Sequence, residues 1–203
     1  MRPSQFWSFA MVVLRVAVAG GASLTLSGCL WLFLGPTNTV RPSELSSARP
    51  GTTQIVFGVA TETDWPFAGF GVQLERYDPV TGEAGNCSRH DNARGNIPPT
   101  PTGLHYFVFD VPAGAYVFSA LNGQSLDSDS PAAFVAPAGK TVYFGDFVLV
   151  GPITPYTLSI DGPIVVRRDL AAAKAVLGPE ATKLELAEVL PGVRRGRPFL
   201  CTP

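Results

Sequence analysis

Cysteine, histidine and aspartate side chains are the first candidates for chemistry in this 203-residue chain. Cys87 and His90 are separated by two residues, which is half of a zinc motif, but His105 is the only other histidine. Structural zinc usually needs four ligands. Asp127 and Asp129 alternate as calcium ligands do, but the loop around them lacks the central glycine and terminal glutamate of a calcium site. We therefore expect no metal and no cofactor.

The motifs of common enzyme classes do not occur in the sequence. There is no Gly-x-Ser-x-Gly, no phosphate-binding Gly-Lys loop and no His-Glu-x-x-His. His105 precedes Tyr106 in a predicted strand, where a half-buried, hydrogen-bonded histidine is more common than a base. We predict a protein without catalytic residues.

The third cysteine, Cys29, ends a leader segment. Arg2 and Arg15 flank a first apolar patch, and residues 16–26 are uncharged, as in the apolar region of a secretory signal. The sequence Leu26-Ser27-Gly28-Cys29 resembles the bacterial lipobox, in which small residues precede a cysteine that becomes the lipidated first residue. The resemblance implies that residues 1–28 are a cleaved lipoprotein signal peptide. It also implies that Cys29 carries the acyl chains, such as palmitate, that hold the protein on a lipid bilayer.

A single transmembrane anchor is the alternative reading of the leader. No charge occurs between Arg15 and Arg41, and residues 30–34 continue apolar past the cysteine. Residues 16–34 approach the roughly 20 apolar residues that span a bilayer. Both readings place the rest of the chain outside the cytoplasm. With Leu30 and no Asp after the cysteine, the lipobox resemblance implies the outer membrane.

Cys87 and Cys201 form an even pair once Cys29 carries lipid. Because an envelope compartment is oxidising, we predict a disulfide between them, with two free thiols as the alternative.

Composition divides the rest of the chain. Residues 29–50 begin at the amino terminus that the lipobox resemblance implies is lipidated. After their apolar start they are rich in Pro, Ser and Thr, which predicts a flexible tether. Residues 51–203 then form one domain. The 15 Lys and Arg against 16 Asp and Glu give a net charge of −1, so no basic face for nucleic acid is expected.

The domain reads as β-structure, with 21 Gly and 19 Pro punctuating apolar runs. In residues 104–150, two such runs meet a turn at Pro112-Ala113-Gly114 and at Pro137-Ala138-Gly139 and then resume, which predicts two hairpins. Further strands are predicted at 52–60, 67–77, 156–161 and 164–166. Gly145 indicates a bulge. Residues 91–103 and 122–131 are predicted loops.

The segment Val111-Pro112-Ala113-Gly114-Ala115-Tyr116 resembles the Pro-x-Gly-x-Tyr turn of prealbumin-like and carboxypeptidase-regulatory-like β-sandwiches. Residues 136–144 are similar to the Pro-Gly-Lys and aromatic strand that follows this turn in small bacterial lipoproteins of unknown function. The resemblance covers about residues 104–150. It implies a mainly β, antiparallel, prealbumin-like β-sandwich that binds or supports other molecules, and it carries over no catalytic residues.

The carboxyl-terminal part predicts one helix. The Asp169 carboxylate can cap its first turn, the apolar positions 170, 173, 176 and 177 share a face, and Gly178-Pro179 stops it. Residues 180–189 read as a strand. We expect this helix to pack across an open side or an edge of the sandwich.

The sequence thus favours a non-enzymatic, membrane-anchored envelope lipoprotein whose exposed loops, residues 91–103 and 122–131, contact an envelope protein or a cell-wall component. A periplasmic hydrolase and a carrier of a small apolar ligand are the alternatives.

Overall fold

Two β-sheets make up most of the chain that the computed structural model describes, namely residues 39–40, 45, 48–62, 70–85, 93–97, 103–119, 122, 124–150, 162–193 and 197–198. These residues belong to one compact unit, Thr37–Pro203. The three cysteines, His90 and the predicted strand 156–161 lie outside the described residues.

Thirteen strands occur in the described ranges, and most are short. In chain order they are β1 (Thr39–Val40), β2 (Thr52–Thr61), β3 (Phe70–Asp78), β4 (Glu83–Ala84), β5 (Ala93–Ile97), β6 (His105–Pro112), β7 (Gly114–Phe118), β8 (Ala133–Ala136), β9 (Thr141–Leu149), β10 (Ile164–Arg167), β11 (Glu185–Leu186), β12 (Glu188–Val189) and β13 (Arg197–Pro198). The first sheet has the order β1-β6-β2-β9-β10, with β11 also beside β9. The second sheet has the order β12-β8-β7-β3-β4-β13, with β5 also beside β3. All pairs are antiparallel except β2–β9, β9–β11 and β4–β13.

The predicted β-sandwich with one carboxyl-terminal helix is confirmed, but the two predicted hairpins are wrong. The turn at Pro112-Ala113-Gly114 links β6 in the first sheet to β7 in the second, and the turn at Pro137-Ala138-Gly139 links β8 to β9 in the opposite direction. Each turn therefore crosses between layers. The Tyr116 hydroxyl donates to the Pro112 carbonyl over 2.7 Å. This hydrogen bond links the two ends of the first turn, as tyrosine corners of β-sandwiches do.

The inner core is the apolar layer between the two sheets. Phe109 of the first sheet and Tyr116 and Phe118 of the second sheet meet there, so these aromatic side chains share a core from opposite layers. Phe134 and Phe144 stack with ring centroids 4.3 Å apart. The buried members of the inner core are Ile55, Phe57, Val59, Val72, Leu74, Ala93, Ile97, Phe109, Val111, Tyr116, Phe118, Phe134, Ala136, Val142, Phe144, Phe147, Leu149, Ile164, Val166 and Ala187.

The outer layer is the second apolar cluster, which the carboxyl-terminal helix makes with the other face of the first sheet. This helix, α1 (Leu170–Leu177), begins after Asp169, whose carboxylate accepts the Ala172 amide over 2.9 Å. The cap and the stop at Gly178 are confirmed, but Val176 is 67% exposed and does not share the buried face. The buried members of the outer layer are Leu45, Val56, Val108, Tyr143, Ala173, Ala181 and Leu184.

Three predicted segments differ in detail from the structure. Residues 180–189 are not one strand, because Pro179 begins a 3-10 helix (Pro179–Lys183) before β11 and β12. The predicted loop 91–103 contains β5, which pairs with β3. Within the predicted tether, β1 pairs with β6 and Leu45 is buried in the outer layer, so these residues pack on the domain.

Candidate functional site

A buried acid, Asp146, lies on the outer face of the first sheet and forms the candidate site. Tyr143 pairs with Val56, yet the next residue of β2, Phe57, pairs with Gly145. This bulge accommodates one extra residue, which confirms the predicted irregularity at Gly145. Side chains three positions apart normally point to opposite faces of a strand. The bulge therefore brings the Tyr143 and Asp146 side chains to the same face.

A glycine on the neighbouring strand makes room for the acid. Gly58 of β2 lies between Asp146 of β9 and Tyr106 of β6, which are its register partners on either side. A Cβ atom at Gly58 would come within 2.3 Å of Asp146 Oδ1 and 2.7 Å of Leu104 Cδ1. The absence of a side chain at Gly58 thus lets the carboxylate lean across the central strand.

Two tyrosines approach the acid beside the notch, which is the space left by the missing side chain of Gly58. The Tyr106 hydroxyl lies 3.5 Å from Asp146 Oδ2, at the long limit of a hydrogen bond. The rings of Tyr106 and Tyr143 are tilted, with centroids 6.5 Å apart. The Tyr143 hydroxyl also lies 3.4 Å from the carbonyl oxygen of Arg167. Arg167 belongs to the segment that leads into α1. The cluster joins three strands to the segment that begins the helix.

The acid is only partly satisfied. Asp146 is 7% exposed, and its Oδ1 has no hydrogen-bond partner among the residues that the structure describes. Burial raises the pKa of Asp146 above its ordinary value of 3.8, while hydrogen bonds from Tyr143 and Tyr106 act in the opposite direction. Burial, together with the nearby Asp146, also raises the pKa of Tyr106.

Arg168 anchors the same segment without pairing with the acid. Its Nε donates to the Phe144 carbonyl over 2.9 Å, and its Nη2 donates to the Ala187 carbonyl. Its guanidinium carbon lies 6.0 Å from the centroid of the Phe144 ring. Arg168 is thus held by backbone oxygens, and the ionisable groups that act on Asp146 are Tyr106, Tyr143, Arg167 and Asp169.

Sequence reasoning missed this cluster, although its signals were present. Asp146 is the single charge in an otherwise apolar strand, Gly145 marks the bulge, and Gly58 interrupts a run of apolar residues. What the sequence does not show is that β2 separates β6 from β9, which is what brings Tyr106 to the acid.

The predicted site residues that the structure describes lie apart from this cluster. His105 is half-buried as expected, and its Nε2 has no hydrogen-bond partner among the described residues. Asp127 accepts the Asp129 amide over 2.9 Å in a turn of the second predicted loop. Among the residues described, no three acidic, histidine or cysteine side chains are grouped as metal ligands would be.

The predicted lipidation site Cys29 and the predicted disulfide pair, Cys87 and Cys201, lie outside the described residues and stay predictions. The described part of the chain brings the flanks of the disulfide pair together, because β13 runs parallel to β4 with Pro198 opposite Ala84.

A shallow cleft of about 250 Å³ lies elsewhere on the domain, where Leu45 approaches the 3-10 helix. Its lining includes Leu184, Pro179, Glu180 and Lys183. The volume is below the roughly 300 to 1,000 Å³ typical of ligand pockets.

Comparison with family models, curated proteins and solved structures finds no match for this chain. No helix among the described residues is long and apolar enough to cross a membrane. The geometry defines a two-sheet β-sandwich with a helical outer layer.

Proposed function

We propose that the chain is a lipid-anchored module of the bacterial cell envelope that binds a protein partner and catalyses no reaction. The observation that carries the proposal is the sequence Leu26-Ser27-Gly28-Cys29 after an uncharged leader. In this proposal residues 1–28 are removed, Cys29 carries the lipid, and the domain lies on the periplasmic side of the outer membrane.

The interior of the domain supports a module rather than a carrier of an apolar ligand. A Cβ atom at Gly95, on β5, would lie 2.5 Å from the Phe107 ring and 2.9 Å from the Phe57 ring. Aromatic side chains thus fill the space between the sheets where a carrier would hold its ligand. An enzyme would need a pocket at which polar groups converge on a substrate, and Asp146 is instead covered.

The arrangement of strands supports a partner surface at one end of the domain. β6 begins at His105 and β7 ends at Phe118, so the loops next to these residues leave from the end opposite the two Pro-Ala-Gly turns. Asn122 fixes one of these loops, because its side chain accepts the Gln73 amide and donates to the Gln73 carbonyl. A loop held in this way is suited to recognition.

The predicted disulfide belongs to the same proposal. Cys87 follows Ala84 by three positions and Cys201 follows Pro198 by three positions, so the parallel register supports their pairing. A bond there would hold the carboxyl-terminal segment on the second sheet. Titration of denatured, unreduced protein tests it, since two titratable thiols would exclude the bond.

Palmitate labelling of cells expressing the full chain tests the anchor. The wild type and the matched control Cys87→Ala should both take up label and appear as the shortened product, whereas Cys29→Ala should be unlabelled and uncleaved. Labelled or normally shortened Cys29→Ala would overturn the lipid anchor. Crosslinking in the intact envelope, followed by mass spectrometry, then identifies the partner, and crosslinks confined to bulk lipid would overturn the protein-partner proposal.

A further inference from the structure

The Asp146 cluster ties the helical outer layer to the sandwich, and the groups that face the acid come from several elements. Tyr143 lies on the same strand, and Tyr106 lies on β6. The ionisable groups around the acid are Tyr106, Tyr143, Arg167 and Asp169. Arg167 is exposed and paired with Glu62, so its charge is largely screened at this site. The Asp169 carboxylate caps α1.

This set of neighbours is unfavourable to a negative charge on Asp146. The two hydroxyls can donate to the carboxylate, but Oδ1 has no partner among the described residues and Asp169 is a like charge. A buried carboxylate with an unsatisfied oxygen is costly, whereas a protonated carboxyl group removes the charge and gains a donor. Burial accordingly raises the pKa of Asp146.

The geometry also shows what the acid holds together. Asp146 bridges β9 to Tyr106 on β6 across the notch at Gly58, and Tyr143 reaches the Arg167 carbonyl at the start of the segment that enters α1. Loosening this cluster would therefore loosen the attachment of α1 to the first sheet.

We propose that Asp146, Tyr106 and Tyr143 form a proton-dependent clasp, which holds the outer layer on the first sheet more tightly when Asp146 is protonated. The clasp does not depend on the proposed anchor or partner. In a protein exposed to the external medium it would make the attachment of α1 respond to the acidity of the surroundings.

The sign of the pH dependence follows from linkage. The folded protein binds a proton at Asp146 more tightly than the unfolded chain does, so the stabilisation is complete below pH 3.8, the ordinary value. It is lost as pH rises through the raised pKa of the folded state. Because one proton is involved, the unfolding equilibrium constant should increase by at most about tenfold per pH unit in that window.

Denaturant unfolding of the folded body, residues 37–203 within the full chain, tests the clasp between pH 4 and pH 8. The difference between wild type and Asp146→Asn isolates the acid. The wild type should lose stability relative to Asp146→Asn as pH rises, while the matched control Asp129→Asn, an exposed loop acid, should follow the wild type. A constant difference between wild type and Asp146→Asn across this range would overturn the proposal.

Tyr106→Phe supplies a second readout in case Asp146→Asn does not fold. Removing a hydroxyl that donates to the ionised carboxylate raises the pKa of Asp146 further. The pH window in which stability falls should therefore move to higher pH in this variant, and a carbon-13 titration of the Asp146 carboxyl group should move with it. An unchanged window, or a titration at the ordinary value in the wild type, would contradict the clasp.

Discussion

The two faces of the first sheet are built from different chemistry. Its inner face joins the inner core, where the rings of Phe134 and Phe144 stack on one another. Its outer face joins smaller apolar residues to a buried acid and two tyrosines. The strand β9 contributes to both, because its bulge sends Phe144 inward and Asp146 outward.

The inner face of the first sheet stabilises the domain independently of pH, whereas the outer face makes its stability depend on pH. Close-packed aromatic side chains stabilise a fold at every pH, since burial of apolar surface does not depend on protonation. A buried carboxylate makes the packing around it depend on a proton. The inner core should therefore set the overall stability of the domain, and the outer layer should be the part that conditions can change.

The largest expected effect comes from the inner core. Phe144→Ala removes a fully buried ring stacked on Phe134 and should lower the free energy of unfolding by about 3–5 kcal/mol. The matched change in the outer layer, Leu184→Ala, should cost about 2 kcal/mol, because a short helical cover relaxes more easily around the cavity. Denaturant titration at one pH measures both, and a larger loss for Leu184→Ala would reverse the comparison.

The notch at Gly58 gives the next largest effect. Gly58→Ala places a Cβ within 2.3 Å of Asp146 Oδ1 and should cost about 1–3 kcal/mol through overpacking. The double variant Gly58→Ala with Asp146→Ala should recover part of this loss, because the carboxylate oxygen that clashes with the new Cβ has been removed. Additive losses in this double-mutant cycle would show that the two side chains do not meet.

The cap of α1 gives the smallest effect. Asp169→Ala removes the carboxylate that accepts the Ala172 amide and should cost about 1 kcal/mol, the usual value of a helix amino-terminal cap. Part of this cost should be offset near Asp146, since a like charge is also removed. Circular dichroism during unfolding gives the value, and Asp129→Ala is the matched control at an exposed turn.

Local sequence patterns predict the helix, turns and bulge of this fold better than they predict which strands pair with each other. The helix after Asp169, its stop at Gly178 and the bulge at Gly145 were predicted because each depends on neighbours within a few residues. The Pro-Ala-Gly turns were placed correctly but assigned to hairpins, since a turn sequence does not reveal whether the next strand joins the same sheet. Asp146 was visible as a charge in an apolar strand, but its contact with Tyr106 depends on two strands that are distant in sequence.

Native-state hydrogen exchange tests most directly the claim that the outer layer and the inner core are separate in stability. The amides of Ala173 and Gly178 at the outer layer, and of Phe118 and Ile164 at the inner core, all donate backbone hydrogen bonds and can be compared at one pH. We expect the outer-layer amides to exchange through a local opening whose free energy is lower than that of global unfolding. In Asp146→Asn, the difference between these two free energies should be smaller. Exchange of both groups at the same free energy, in the wild type and in the variant, would contradict it.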